Sequence, residues 1–79
     1  MKATVIVRPK EGILDPQGEA VRSALDQLGF PVDEARVGRV IELSFEGRDD
    51  ARAELERMCD RLLANPLIES YEIELLNGH

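Results

Sequence analysis

The alternation of strand-like and helix-like segments constrains this chain more than any other feature of its sequence. Residues 3–9 are rich in β-branched side chains and end at a proline, and residues 71–75 alternate apolar with acidic side chains. Both patterns are typical of strands. A third strand-like stretch lies between two segments whose apolar residues recur at helical spacing. The order β-α-β-α-β is therefore predicted.

The first helix is predicted to begin at Asp15, an N-cap residue followed by Pro16 at the first helical position. Gly29 ends it, because glycine adopts the left-handed backbone common just past a helix. We expect the apolar stripe of this helix to pack against the sheet and Phe30 to pack onto the core. The stripe consists of Ala20, Val21, Ala24, Leu25 and Leu28.

Residues 35–45 favour a long strand with Val37, Ile41, Leu43 and Phe45 on one face. Arg39 interrupts the apolar alternation, and Gly38 beside it is compatible with a bulge or a bend. The pattern leaves open whether this stretch forms one curved strand or two short ones.

Asp49 and Asp50 are candidate N-caps of the second helix, which Asn65 and Pro66 end. Its predicted apolar stripe consists of Ala51, Leu55, Met58, Leu62 and Leu63. If Leu62 lies in the core, Leu62→Ala is expected to cost about 2–5 kcal/mol.

These elements predict one α+β domain over residues 1–79, with helices on one face of a small sheet, as in ferredoxin-like domains. So small a domain has a thin core, and a three-stranded sheet leaves two open edges. We therefore expect a dimer in which the sheet is extended by a second copy.

Charge and composition exclude several classes of protein. A formal net charge of −6 opposes general binding to nucleic acid. The apolar runs are too short to span a membrane, and the first residues lack a signal-peptide core, so a cytoplasmic location is expected. The single cysteine, Cys59, lies in a helical pattern and is interpreted as a packing residue.

The residues of a catalytic site are not apparent in the sequence. The one histidine, His79, stands at the last position, where we expect a frayed terminus rather than a catalytic base. One cysteine and one histidine do not make a zinc site. The glycines at 12 and 18 match neither a P-loop nor a dinucleotide fingerprint, so no catalytic, metal or cofactor residues are predicted.

Three segments together resemble the small S subunit of phosphoribosylformylglycinamidine synthase. They are VIVRPKEGILDPQGEAV at 5–21, LDQLGF at 25–30 continuing to VGRVIEL at 37–43, and MCDRLLANPLIESYEIE at 58–74. The resemblance covers almost the whole chain. LDPQG before the first helix and LLANPLIESYEIE after the second are much more specific than a ferredoxin-like pattern alone.

The resemblance implies a non-catalytic assembly subunit in a glutamine-dependent, ATP-consuming C–N ligase. The partners it implies are a glutaminase (PurQ) that releases ammonia and a large synthetase (PurL) that uses it to make phosphoribosylformylglycinamidine in purine biosynthesis. It further implies that the complex uses ATP and Mg, that this chain binds no cofactor, and that the chain forms dimers or dimers of dimers.

Candidate partner contacts lie in the 8–17 loop and the 64–71 segment, where small, turn-forming and polar residues exceed what a core requires. The residues are Arg8, Lys10, Asp15, Pro16, Gln17, Asn65, Pro66 and Tyr71. Helix punctuation also explains four of them, and Tyr71 also fits a core aromatic with its hydroxyl at the rim.

Two other functions remain compatible with the residues. One is a regulatory dimer that binds a small metabolite between paired ferredoxin-like sheets. The other is a small enzyme whose site forms between subunits, using Arg36, Arg39 and the acidic last strand.

Overall fold

The computed structural model describes residues 1–46 and 50–76, and its elements follow the predicted order. They are β1 (Lys2–Pro9), α1 (Pro16–Gln27), β2 (Arg39–Ser44), α2 (Ala51–Met58), a π-helical segment (Cys59–Leu63) and β3 (Glu69–Leu76). Asp50 is the N-cap of α2, although its side chain makes no capping hydrogen bond. The candidate cap Asp49 and the terminal His79 lie outside the described residues.

The three strands form one antiparallel sheet in the order β2-β1-β3. Val5 lies opposite Ile41 on β2 and Ile73 on β3. Because successive side chains point to opposite faces, this register places most apolar residues of the three strands on the face covered by α2, whereas Ile6 and Val40 lie on the other face. Val5 and Val7 are buried there. In the described ranges, β2 and β3 each keep one edge without a strand partner.

The core lies between this face and the second helix. Ala51, Leu55 and Cys59 recur every four residues and are buried, as helical spacing requires. Cys59 joins Val5 and Val7 in the core cluster. Its predicted packing role is confirmed, and burial raises the pKa of the Cys59 thiol.

The prediction that Leu62 is a core residue is wrong. The N–H of Ala64 donates to the carbonyl oxygen of Cys59 at 2.9 Å, an i→i+5 bond that widens the last turn. The wider turn shifts the residues after Cys59 out of the register set by Ala51 and Leu55. Leu62 is therefore 83% exposed, while Leu63 and Ala64 turn towards the core.

Both ends of α1 are as predicted. The Asp15 side chain accepts a hydrogen bond from the Gly18 N–H at 3.0 Å, and Pro16 is the first helical residue. Gly29 has φ +91°, the left-handed conformation that ends the helix.

The position of α1 differs from the prediction, because its apolar stripe makes almost no contact with the chain's own sheet. Leu28 is 71% exposed and Phe30 is 64% exposed, so Phe30 does not pack onto the core. The radius of gyration is 15.9 Å, whereas a compact chain of this length has about 12 Å. α1 therefore extends away from the sheet.

Residues 35–45 contain one short strand, β2, which starts at Arg39. Gly38 lies just before it, against the backbone of β1, and a Cβ at this position would overlap the carbonyl oxygen of Val7. Close backbone approach, rather than a bulge between two strands, explains the glycine.

Candidate partner-binding surface

The two segments predicted to contact partners meet at one end of the sheet, although more than fifty residues separate them in the sequence. The Lys10 side-chain nitrogen Nζ donates to the carbonyl oxygen of Pro66 at 2.7 Å. The Lys10 backbone N–H donates to the carbonyl oxygen of Ile68 at 2.9 Å. The two segments meet here because β1 ends where β3 begins. We call residues 8–17 and 64–71 together the loop end.

Apolar side chains are exposed on the loop end. Leu67 is 81% exposed, and Leu14 and Ile68 are also exposed. A turn presents Leu67, since the Asn65 side-chain oxygen accepts a hydrogen bond from the Leu67 N–H at 3.0 Å. Apolar residues grouped at one end of a small domain are typical of a protein interface.

Arg8 and Lys10, the two basic residues predicted at the loop end, both bind other groups of the chain. Arg8 forms an ion pair with Glu72 at 2.6 Å on the sheet face away from α2. Both side chains are largely exposed, so the pair contributes little to stability. Lys10 instead holds the two loops together through Pro66.

Asp15 joins α1 to the segment that precedes β2. One oxygen of its carboxylate caps Gly18, and the other accepts the Val37 N–H at 2.8 Å. The hydrogen bonds from these backbone N–H groups, chiefly that of Val37, hold the pKa of Asp15 below its usual range. The structure therefore supports a positioning role for Asp15 in addition to its predicted place at an interface.

We predict that Asp15→Asn lowers stability at neutral pH and that the difference from the wild type shrinks in acid. The folded-state pKa of Asp15 lies below that of the unfolded chain. The stability that the carboxylate contributes is therefore complete above the unfolded pKa of about 4. It is lost as the pH falls through the folded value. Urea midpoints from pH 7 to pH 3 measure the difference.

The control for this prediction is Asp33→Asn. Asp33 is exposed and makes no hydrogen bond within the described part of the chain, so its variant is expected to track the wild type at every pH. A constant difference between Asp15→Asn and the wild type across the range would show that the negative charge of Asp15 does not matter.

The other predicted contact residues differ in accessibility. Pro16, Gln17, Asn65 and Pro66 are exposed. Tyr71 is half-buried, and its hydroxyl donates to Asp60 at 3.3 Å. Burial, reinforced by the nearby Asp60 carboxylate, raises the pKa of the Tyr71 hydroxyl. Its alternative interpretation as a core aromatic with a hydroxyl at the rim agrees with this geometry.

A network around Arg39 was not predicted as part of the contact surface. The guanidinium donates to both carboxylate oxygens of Glu69, at 2.7 and 3.0 Å, and to the carbonyl oxygen of Leu63 at 2.6 Å. Glu69 also accepts the Asn65 N–H at 2.7 Å. Bonding to Arg39 holds the pKa of Glu69 below its usual range. The one sequence feature that could have indicated this network is Arg39 itself, which interrupts the apolar alternation of β2.

A groove of about 250 Å³ lies beside the loop end, between Asp15 and Arg39. Ile13, Leu14, Val37 and Ile68 contribute its apolar walls, and Arg39 and Glu69 close one side. Its open, mixed apolar and charged lining suits a protein segment better than an enclosed small molecule.

Among residues 1–46 and 50–76, no three His, Cys, Asp or Glu side chains converge as a metal site would require. Nor does any helix in those ranges have the length and apolar character needed to cross a membrane.

Comparison with known families decides the identity of the chain. The sequence model of the family described as PurS, phosphoribosylformylglycinamidine (FGAM) synthase, matches residues 2–77. The chain belongs to the PurS family. PurS of Methanocaldococcus jannaschii is 43% identical over 77 residues, covering 94% of this chain and 93% of the relative. PurS of Synechocystis is 49% identical over 79 residues, covering 94% and 77%.

Solved PurS structures share the fold. Bacillus subtilis PurS superposes with a TM-score of 0.87 at 43% identity, covering 92% of this chain and 94% of that one. A chain of the PurLQS structure from Thermotoga maritima superposes with a TM-score of 0.76 at 32% identity, covering 95% of both. The predicted ferredoxin-like α+β class is confirmed. As a PurS-family chain, this protein is a small subunit of phosphoribosylformylglycinamidine synthase, a ligase of purine biosynthesis.

Proposed function

We propose that this chain holds a glutaminase (PurQ) and an ATP-dependent synthetase (PurL) together, so that ammonia from glutamine reaches phosphoribosylformylglycinamide without loss to water. The observation that carries the proposal is the loop end, where two distant segments meet and present exposed apolar side chains. Its support from the family is that a related chain, 32% identical, occurs in the PurLQS structure of Thermotoga maritima.

The chemistry of the reaction is assigned to the partners. Cys59, the one cysteine that could serve as a nucleophile, is fully buried, and burial raises the pKa of its thiol, which disfavours the reactive thiolate. Asp15 and Glu69 are committed to backbone and arginine donors. We therefore assign ATP and Mg to the synthetase and no cofactor to this chain, and we place the complex in the cytoplasm.

Self-association is the second part of the proposal. The outer edges of β2 and β3 have no strand partner within the described ranges, and unpaired edges favour pairing with another copy. We propose a dimer in which one of these edges extends the sheet, and pairing of such dimers into a dimer of dimers. A small domain gains stability from such association.

Omission of this chain from a reconstituted complex tests the function. Glutaminase and synthetase without it are expected to lose most glutamine-dependent turnover and to keep turnover with free ammonia, because only the transfer of ammonia is impaired. Product formation is assayed with each nitrogen source. Full glutamine-dependent turnover in its absence would refute the proposal.

A variant of the loop end tests whether this surface itself contacts the two partners. Leu67→Glu places a charge on an exposed apolar side chain without disturbing the core. It is expected to weaken co-elution with the two partners on a sizing column and to lower glutamine-dependent turnover. Leu76→Glu, also at an exposed apolar position but at the last described residue of β3, is the matched control.

A further inference from the structure

One pocket of this acidic chain is lined by basic residues. The chain has a formal net charge of −6, yet the lining of a pocket of about 470 Å³ includes three arginines and no acidic residue. The pocket lies where β2 begins beside the end of β1. We call it the arginine pocket. Positive charge concentrated in a concave site favours an anionic ligand. The arginines are Arg8, Arg36 and Arg39.

The arginine pocket has an apolar floor on the sheet face away from α2. Ile6 on β1 lies opposite Val40 on β2, and both line the pocket. Since successive side chains alternate between the faces, Arg8 lies on the same face as Ile6. Val40 is 61% exposed. The pocket opens on a face of the sheet, so pairing of strand edges does not by itself cover it.

Two of the three arginines keep unused hydrogen-bond donors. A guanidinium carries five N–H donors. Among the residues that the structure describes, the Arg8 side chain donates only to Glu72. The Arg36 side chain donates to the carbonyl oxygen of Pro9 and lies 3.8 Å from a carboxylate oxygen of Glu34. Most donors of both guanidinium groups are therefore free to bind a ligand.

The bond from Arg36 to Pro9 holds the two arginines near each other. Pro9 directly follows Arg8 in β1, so the Arg36 guanidinium lies beside the end of this strand. Arg39 is different. It lies opposite Val7 in the register, and its guanidinium is committed to Glu69 and to the backbone of α2's last turn. Arg8 and Arg36 are thus the two groups that a ligand can bind.

We propose that the arginine pocket binds a small phosphate monoester, with its phosphate oxygens on Arg8 and Arg36 and the rest of the molecule against Ile6 and Val40. A guanidinium matches two phosphate oxygens at once. A phosphate monoester carries a charge of about −1.5 to −2 at pH 7, more than a single carboxylate such as Glu72. The volume of the pocket falls within the range of about 300–1,000 Å³ that is usual for small-molecule sites.

Calorimetric titration of the full chain tests this proposal with four probes. They are inorganic phosphate, ribose 5-phosphate, adenosine 5′-monophosphate and adenosine. The three phosphates are expected to bind and adenosine is not. Tighter binding of a phosphate ester than of inorganic phosphate supports a ligand whose organic part lies on the apolar floor. Equal binding supports recognition of phosphate alone. Adenosine that binds as tightly as its monophosphate, or no binding of any phosphate at millimolar concentration, overturns the proposal.

The double variant Arg8→Gln, Arg36→Gln tests the two binding groups. It removes both charged donors, so the dissociation constant of ribose 5-phosphate is expected to rise at least about tenfold. The control is Arg22→Gln, Arg52→Gln, which removes the same charge from exposed positions on α1 and α2, outside the pocket. Equal losses of affinity in the two double variants would mean that only net charge matters, and would overturn the proposal.

Glu72→Gln tests the same site with an effect of opposite sign. The Arg8–Glu72 pair is largely exposed and therefore weak. Its removal frees the Arg8 guanidinium, so affinity for ribose 5-phosphate is expected to increase about threefold. Glu74→Gln is the matched control, since Glu74 is exposed on the same face of β3 but forms no ion pair within residues 1–46 and 50–76. An equal increase in both variants, or none in Glu72→Gln, contradicts the role of Arg8.

This inference goes beyond the proposed function and is independent of it. Phosphate binding is measured on the chain without its partners, so its failure leaves the assembly role standing. Full glutamine-dependent turnover in a complex that lacks this chain would reject the assembly role and leave the arginine pocket standing.

Discussion

Leu55→Ala is expected to lower the free energy of unfolding by about 2–5 kcal/mol. Leu55 is 0% exposed and is among the largest fully buried side chains of the described residues. It lies on the buried face of α2, one helical turn before Cys59, so its removal leaves a cavity in a thin core. A domain of 79 residues has only roughly 4–12 kcal/mol of stability in total.

Urea unfolding followed by circular dichroism, at one fixed protein concentration, measures the effect. Leu62→Ala is the matched control, since the same side chain is removed seven residues later from a position that is 83% exposed. Its expected change is below about 0.5 kcal/mol. Equal losses in the two variants would contradict the π-helical register described for Cys59–Leu63.

Gly38→Ala is expected to destabilise the pairing of β2 with β1, by about 1–3 kcal/mol or more. A Cβ at this position would overlap the carbonyl oxygen of Val7. That atom belongs to the central strand, and its backbone is held by β3 on the other side, so it cannot yield as a flexible side chain would. The strand start at Arg39 must move instead, and with it the bonds from Arg39 to Glu69.

Gly12→Ala is the control for Gly38→Ala, because it introduces backbone strain without a steric overlap. Gly12 has φ +81°, and no atom lies within 4 Å of the point that a Cβ would occupy, so alanine there meets strain alone, about 1 kcal/mol. Amide hydrogen exchange along β2 distinguishes the two variants. Faster exchange is expected in Gly38→Ala only, and protection retained throughout β2 in that variant would contradict the close approach to Val7.

Local chemistry made much of the fold predictable. Asp15 and Pro16 begin α1, and Gly29 ends it, because capping depends on residues that are neighbours in sequence. The predicted alternation of β3 is also confirmed. It too is a local property, because successive side chains of a strand point to opposite faces of the sheet.

The candidate site was only partly predictable. Sequence patterns predict the 8–17 and 64–71 segments independently of each other, and only the antiparallel pairing of β1 with β3 brings Lys10 against Pro66. Glu69 lies in the predicted 64–71 segment but is not among the individual residues predicted there, because its role depends on Arg39, thirty residues earlier in the chain. Long-range pairs of this kind leave no periodic pattern in a single sequence.

The sequence by itself determined the element order, the caps of α1, the apolar faces of the strands and, through its motifs, the family. Only the tertiary structure decided that Leu62 faces outwards, that β2 begins after Gly38, and that the stripe of α1 does not cover its own sheet. The spacing of apolar residues indicates that one face of an element will be buried. It does not indicate which other part of the structure covers that face. That choice depends on tertiary and local hydrogen bonds. The bond from the Ala64 N–H to the Cys59 carbonyl sets which residues of the last helical turn face the core, and the bond from the Val37 N–H to the Asp15 carboxylate joins the start of α1 to the segment before β2.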